Sequence, residues 1–114
     1  MTQISVVVPV FNEEESLPEL THWISRVMNE HGFSYEVILI NDGSTDRSWE
    51  IVRSLSHGNK AIKGINFTRN YGKSAALDAG FRKAEGEVVI TMDADLQDSP
   101  DEIPGLYTMI SGGF

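Results

Sequence analysis

Residues 35–58 read YEVILINDGSTDRSWEIVRSLSHG, and this stretch decides the fold. Tyr35–Asn41 is nearly continuous in Val, Ile and Leu, without the alternation of a strand that has one wet face. Asp42-Gly43 is a turn signal. Ile51, Val52 and Leu55 then fall at helical spacing between about Asp46 and His57, and Gly58 ends that helix. A strand covered on both faces, a tight turn and an amphipathic helix make one strand–helix unit of a parallel sheet.

The same unit repeats outward in both directions. Further apolar runs lie at Ile4–Phe11, Ala61–Phe67 and Glu87–Asp93. The first helix carries Leu17, Leu20, Ile24, Val27 and Met28 as a stripe, with Ser16 and Glu19 as a capping box and Gly32 as its stop. A third helix, about Gly72–Glu85, has small residues Ala75, Ala76, Ala79 and Gly80 that permit close packing on a sheet. A fourth starts at Ser99-Pro100-Asp101-Glu102, where an N-cap, a proline at the first helical position and an acid coincide. The repetition predicts an α/β fold with right-handed crossovers and a mainly parallel sheet of about four strands. Such a sheet is thin, and the end MISGGF (109–114) stops just after a helix with no further strand, so the chain reads as part of a larger domain.

Composition narrows the function classes. The 114 residues carry 40% hydrophobic and 23% charged side chains, the balance of an ordered globular domain. A formal net charge of -8 and the lack of a basic stripe argue against nucleic acid as a partner. Cysteine is absent, which removes disulfides and thiolate metal sites and fits a cytoplasmic compartment. The start MTQISVVVPVF has no basic n-region, and no apolar run approaches the ~20 residues of a membrane helix, so this chain is expected to be soluble.

In a parallel sheet every strand's carboxyl end lies on one edge, where ligands bind. The four exits are Phe11-Asn12-Glu13, Asn41-Asp42-Gly43-Ser44, Thr68 to Lys73, and Asp93-Ala94-Asp95-Leu96-Gln97. Acids leave three of them and cations the other. Asp93, Asp95 and Gln97 have a spacing of two, which in an extended segment puts all three on one side as hard oxygen donors for Mg²⁺ or Mn²⁺. An Asx-turn is the plain alternative for a lone D-x-D; the buried strand ahead of it and the neighbouring acids favour a site.

Asp42, at the end of its strand, is placed to accept from a base N–H, and Glu13 from ribose hydroxyls. Ser44, Thr45 or Asp46 could cap the second helix. Arg69 and Lys73 flank a helix start that favours anions, a common surface arrangement as well. His22, His31 and His57 have no metal-ligand spacing and read as surface residues, Trp23 and Trp49 as packing residues. Glu14 and Glu15 are accounted for by the helix dipole.

Four stretches in this order, VVPVFNEEESL (7–17), NDGSTD (41–46), RNYGKSAALDAGF (69–81) and DADLQDSP (93–100), resemble the family 2 glycosyltransferases of GT-A fold. The set is specific and spans the whole chain, yet it corresponds to the first, nucleotide-binding half of that family's catalytic domain. DADLQ and RNYGK are most similar to bacterial members that move a sugar onto a polyprenyl phosphate. The resemblance implies a Rossmann-like three-layer GT-A half, with residues 1–114 forming the N-terminal nucleotide-sugar-binding part. It implies that Pro9, Phe11 and Glu13 border the base and ribose and that Asp42 binds the base. Asp93, Ala94 and Asp95 would meet the diphosphate through Mg²⁺ or Mn²⁺, with Gln97 beside them.

Three positions depart from close relatives: Ser99 replaces the first proline of a pair, Asn41 a second Asp, and Phe11 a frequent Tyr. None removes a proposed ligand. The implied reaction is inverting transfer from a nucleotide-diphospho-sugar, with a polyprenyl phosphate or a saccharide as acceptor. The base and the acceptor site belong to the second half, so no catalytic residue is expected here and the chain alone should not turn over. In the lipid-phosphate subgroup membrane helices follow, which places the whole protein at the cytoplasmic face of a membrane. Apolar surface left for the second half could drive self-association.

Two other classes fit less well. A phosphoacceptor receiver domain needs an acid after the third strand, where Thr68-Arg69-Asn70 stands. A D-x-D phosphatase needs its nucleophile after the first strand. A dinucleotide-binding domain is excluded, because FNEEES (11–16) contains no G-x-G-x-x-G.

Overall fold

The computed structural model describes residues 1–112; the last two residues of the MISGGF tail lie outside the described residues. The strands are β1 (Ile4–Val10), β2 (Tyr35–Asp42), β3 (Ile62–Phe67) and β4 (Val88–Thr91). They alternate with α1 (Leu17–Glu30), α2 (Ser48–Gly58) and α3 (Lys73–Lys83), and α4 (Ile103–Ser111) follows a 3₁₀ turn at Pro100–Glu102. The sheet is wholly parallel in the order β3-β2-β1-β4. The chain winds outward from β1 to β3, then returns to place β4 on the other side of β1. The order therefore reverses between β1 and β4, and a crevice opens beyond their carboxyl ends.

Both faces are covered at β1 and β2, as continuous apolar strands require, whereas β4 buries Val88 and Ile90 and leaves Val89 and Thr91 exposed on its other face. Ile4, Val6, Val8 and Val10 of β1 pack with Leu17, Leu20, Ile24 and Met28 of α1, and Ile103 of α4 joins them. On the opposite face Val7, Ile38 and Ile40 meet Ala76 of α3. Gly80 lets α3 ride close: a Cβ there would fall 2.4 Å from Val7 Cγ1 and 2.9 Å from Ile40 Cδ1. Trp49 packs against the core as expected, while Trp23 donates its indole N–H to Asp101 at 2.9 Å. The three histidines are exposed. On α4, Leu106, Met109 and Ile110 are exposed. Among the described residues no helix is long and apolar enough to cross a membrane.

Three local expectations are corrected. Ser16 makes no cap hydrogen bond, so the box with Glu19 does not form; its hydroxyl is engaged elsewhere. The α2 helix begins at Ser48, because the Asp46 carboxylate accepts from Ser48 N–H at 2.8 Å and stands before the helix. The β4 strand ends at Thr91, short of Asp93, whose N–H turns to the Asp98 carboxylate at 3.0 Å. By contrast α1 does stop at Gly32, with φ of 70°, where Phe33 N–H bonds back to the Met28 carbonyl at 3.0 Å.

Candidate functional site

The β1 exit is held by the neighbouring β2 exit. Asn12 takes a positive φ of 53°, a conformation that Asn tolerates better than most residues. Its side-chain oxygen accepts from the N–H groups of Thr45 (2.8 Å) and Asp46 (3.3 Å). In return Asn12 N–H donates to Ser44 Oγ, Glu13 N–H to Ser48 Oγ and Glu14 N–H to Asp46 Oδ2. Burial pushes the Asp46 carboxyl up, but the Ser48 hydroxyl and the N–H groups of Ser48 and Glu14 outweigh it and hold the group below its usual range. Ser16 Oγ reaches across to donate to the Ala94 carbonyl and so ties β1's loop to β4's. Asp46 and Ser48 thus serve as structural latches, and Asn12, not singled out from the sequence, is the hub.

The β2 exit orders the loop before α3. The Asp42 side chain lies in a residue only 4% exposed, and its two oxygens accept from Tyr71 N–H (2.7 Å) and Gly72 N–H (3.1 Å). Gly43, with φ of 71°, makes room for this loop, since a Cβ there would stand 2.2 Å from the Arg69 carbonyl carbon. Gly72 takes a φ of 99° immediately before Lys73, the first residue of α3. Arg69 lies over the Tyr71 ring, 5.0 Å from its centroid, and not at the cleft.

The acidic loop is a turn, not the extended segment that a spacing of two assumes. Leu96 takes a φ of 67° and Gln97 N–H donates to Asp95 Oδ1 at 3.2 Å. The Asx-turn and the acidic site therefore coexist in one loop. Gln97 is carried past the turn and does not line the cleft. Crowded acids at a strand end need a neutralising partner, and here it is Lys73, whose Nζ stands 2.8 Å from Asp93 Oδ1. The hydrogen bond to Asp93 and that carboxylate's charge, with Asp98 and Asp95 beyond, raise the Lys73 ammonium above the usual lysine range.

Pro9, Phe11, Glu13, Asp42, Asp93, Ala94 and Asp95 come together around one cleft of about 300 Å³, with Val10 and Lys73 completing its lining. Every residue expected at the nucleotide is thus present, drawn from the exits of β1, β2 and β4 across the switch point. Phe11, 45% exposed, presents an aromatic ring at the cleft, while the Ala94 beside the acids is buried. Among the described residues no three His, Asp or Glu side chains are grouped to hold an ion. Asp93 and Asp95 offer hard oxygens from two carboxylates, a set that suits Mg²⁺ or Mn²⁺ when phosphate and water complete the shell.

The chain is 47% identical over 113 residues to an undecaprenyl-phosphate 4-deoxy-4-formamido-L-arabinose transferase of Aeromonas hydrophila subsp. hydrophila, an alignment covering 97% of this chain and 34% of the relative. A transferase of the same name from Pseudomonas aeruginosa is 44% identical over 112 residues, covering 97% of this chain and 33% of that protein. The chain thus spans about a third of the length of the curated relatives it matches. Among solved structures, the mannosyltransferase PcManGT of Pyrobaculum calidifontis in complex with GDP-Man and Mn²⁺ superposes with a TM-score of 0.79 at 26% identity, over 95% of this chain and 32% of that one. Glucosyl-3-phosphoglycerate synthase of Mycobacterium tuberculosis in complex with UDP gives 0.75 at 27% identity, over 98% and 41%. Residues 5–113 match the family described as Glycosyl transferase family 2, and the chain belongs to that family.

Proposed function

We propose that the cleft binds a nucleotide-diphospho-sugar and that residues 1–114 form the donor half of an inverting glycosyltransferase. The observation that carries this reading is the convergence of three strand exits, with four carboxylates and one ammonium, at the switch point of the sheet. Phe11 offers a ring face to the base, and Glu13, half-buried at the mouth, accepts from ribose hydroxyls. Asp42 meets the base with the lone pairs that Tyr71 and Gly72 leave free, because each carboxylate oxygen can accept twice.

Asp93 and Asp95 would hold Mg²⁺ or Mn²⁺, while Gln97, carried past the turn, stands outside the cleft. When bound, that cation supplies Lewis-acid stabilisation of the negative charge that develops on the leaving diphosphate. Lys73 adds a second positive charge at the same anion, and Pro9 and Ala94 keep the cleft wall apolar next to it.

The relatives' names point to a polyprenyl phosphate as the acceptor of the whole protein. A phosphate acceptor is already anionic near neutrality and needs no strong base. Sugar transfer needs the acceptor side as well, so this chain binds donor without turning it over. Calorimetric titration with UDP, UDP-glucose and GDP-mannose, each with and without Mn²⁺, tests the reading. Binding of at least one of them that depends on Mn²⁺ is expected. The absence of heat with all three in the presence of Mn²⁺ would overturn it.

A further inference from the structure

Lys73 is the sole basic side chain among the described residues lining the cleft, against the carboxylates of Glu13, Asp42, Asp93 and Asp95. Its ion pair differs from the local pairs Arg26–Glu30, Arg47–Glu50 and Arg82–Asp78, which join neighbours along one helix or at its start. Lys73–Asp93 spans the cleft and joins the start of α3 to the β4 exit. Its backbone end is fixed: Asp42 clamps the N–H groups of Tyr71 and Gly72, and Gly43 seats the loop that carries them. Its charged end is free to leave, because the two side chains are 62% and 46% exposed and such pairs are readily broken. A fixed root, a flexible tether and a weak pair describe a part that moves between two anions.

We propose that Lys73 is the built-in counter-ion of Asp93, occupying the cation's side of that carboxylate until a divalent ion displaces it towards the donor's diphosphate. The inference rests on the donor-site reading above and adds an exchange of partners to it. With the cleft empty, Lys73 keeps Asp93 and Asp95 from repelling each other and holds the acidic loop in its binding shape. A cation arriving alone must compete with Lys73 and sit beside its charge. A cation arriving with a diphosphate gives the released ammonium a new anion, so cation and nucleotide favour each other's binding.

The test is Mn²⁺ binding, read by electron paramagnetic resonance of the free ion, for the wild-type chain, Lys73→Met, Lys73→Gln and Lys73→Arg. Without nucleotide, both neutral variants should bind Mn²⁺ about three- to tenfold more tightly than wild type, and Lys73→Arg should stay near it. In saturating Mn²⁺ the same neutral variants should bind GDP or UDP more weakly, so one substitution moves two ligands in opposite directions. Melting curves should leave all variants folded, since the pair is exposed. Wild type that binds Mn²⁺ with neutral variants that bind it no better would overturn the counter-ion role and leave the donor site standing. Silence towards Mn²⁺ in wild type and variants alike would overturn the metal reading of the cleft, and this inference with it.

Discussion

The sheet carries a lysine–carboxylate pair at each of its two edges, and the pairs are nearly equal in length. At the amino edge Lys63 Nζ lies 2.7 Å from Glu36 Oε1, and at the carboxyl edge Lys73 Nζ lies 2.8 Å from Asp93 Oδ1. What surrounds them is opposite. The Glu36 side chain is 3% exposed, and its other oxygen accepts from the Ser5 hydroxyl and from Glu85 N–H, while Gly86 N–H donates to Ser5 Oγ. The Asp93 side chain is 46% exposed and Lys73 holds one of its oxygens. A buried carboxylate that already accepts three hydrogen bonds joins β1, β2, β3 and the approach to β4 and presents no accessible lone pair to a ligand. An exposed one contributes little to the fold and keeps its lone pairs for a visitor. Ion-pair distance alone does not tell structure from function; the count of remaining partners does.

Removing each carboxylate should separate the two roles. Glu36→Ala leaves the Ser5 hydroxyl and Glu85 N–H without their acceptor, and urea unfolding should show a loss of about 2–4 kcal/mol. Lys63 contributes little to that figure, since its side chain is 36% exposed and water replaces the lost partner. Asp93→Ala should leave the unfolding midpoint unchanged and abolish Mn²⁺-dependent nucleotide binding.

Acid should reveal the same asymmetry. Burial pushes the Glu36 carboxyl up, but hydrogen bonds from Lys63, Ser5 and Glu85 win and hold it below its ordinary 4.5. The folded state then stays ionised where the unfolded chain has already taken up a proton. Stability from this group is therefore present above about pH 4.5 and lost as pH falls through the lowered folded value. The Lys63 ammonium, raised chiefly by its bond to Glu36, adds stability that is full below 10.5 and fades as pH climbs through the raised value. Glu36→Gln should flatten the acid limb of the stability curve, and equal limbs in wild type and variant would break the comparison.

A pair of glycines sharpens it at the next level of effect. Gly86, at the amino edge, lies where a Cβ would stand 2.5 Å from Ser5 Oγ and 2.6 Å from Ser5 N. Gly43, at the carboxyl edge, faces the backbone of Arg69 and Asn70 at 2.2 and 2.3 Å, with a φ of 71°. Each substitution to Ala forces backbone apart and should cost about 1–3 kcal/mol in urea unfolding. Gly43→Ala alone should also weaken nucleotide binding, because the loop it displaces carries Lys73. Equal losses of nucleotide affinity in both variants would show that the edges are not independent.

How much of this is legible in the sequence follows from the range of each interaction. The strands lie within two residues of their expected ends, because long runs of Val and Ile declare themselves locally. Gly32 and Gly80 were readable for the same reason: a left-handed stop and a close helix contact each call for a glycine in a recognisable pattern. The acids at the strand exits were readable as a set because a parallel sheet puts all exits on one edge. The clamps were not. Asn12 bonds to Thr45 and Asp46, and Asp42 to Tyr71 and Gly72, only because β1 lies beside β2 and the β3–α3 loop beside both. That order is a property of the whole fold, and it also decides that Asp93 faces Lys73 and not Arg69. The alternation rule for Asp93, Asp95 and Gln97 failed where the chain stopped being extended.

Ser16 marks the smallest expected effect and the clearest rivalry between local and distant partners. Its sequence context, with Glu19 three residues on, specifies a capping box; the structure gives its hydroxyl instead to the Ala94 carbonyl, from a loop 78 residues away. A cap would make Ser16 and Glu19 act together on stability, each costing about 1 kcal/mol when replaced by Ala. A bridge between loops makes them act apart. Glu19→Ala should then leave both stability and nucleotide affinity unchanged. Ser16→Ala should cost under about 1 kcal/mol of stability, the worth of one net hydrogen bond, and weaken nucleotide binding as the β1 and β4 loops loosen around the cleft. The discriminating measurement is the double variant: additive losses place Ser16 with the acidic loop, whereas coupling between the two substitutions would return it to the helix start and detach it from the site.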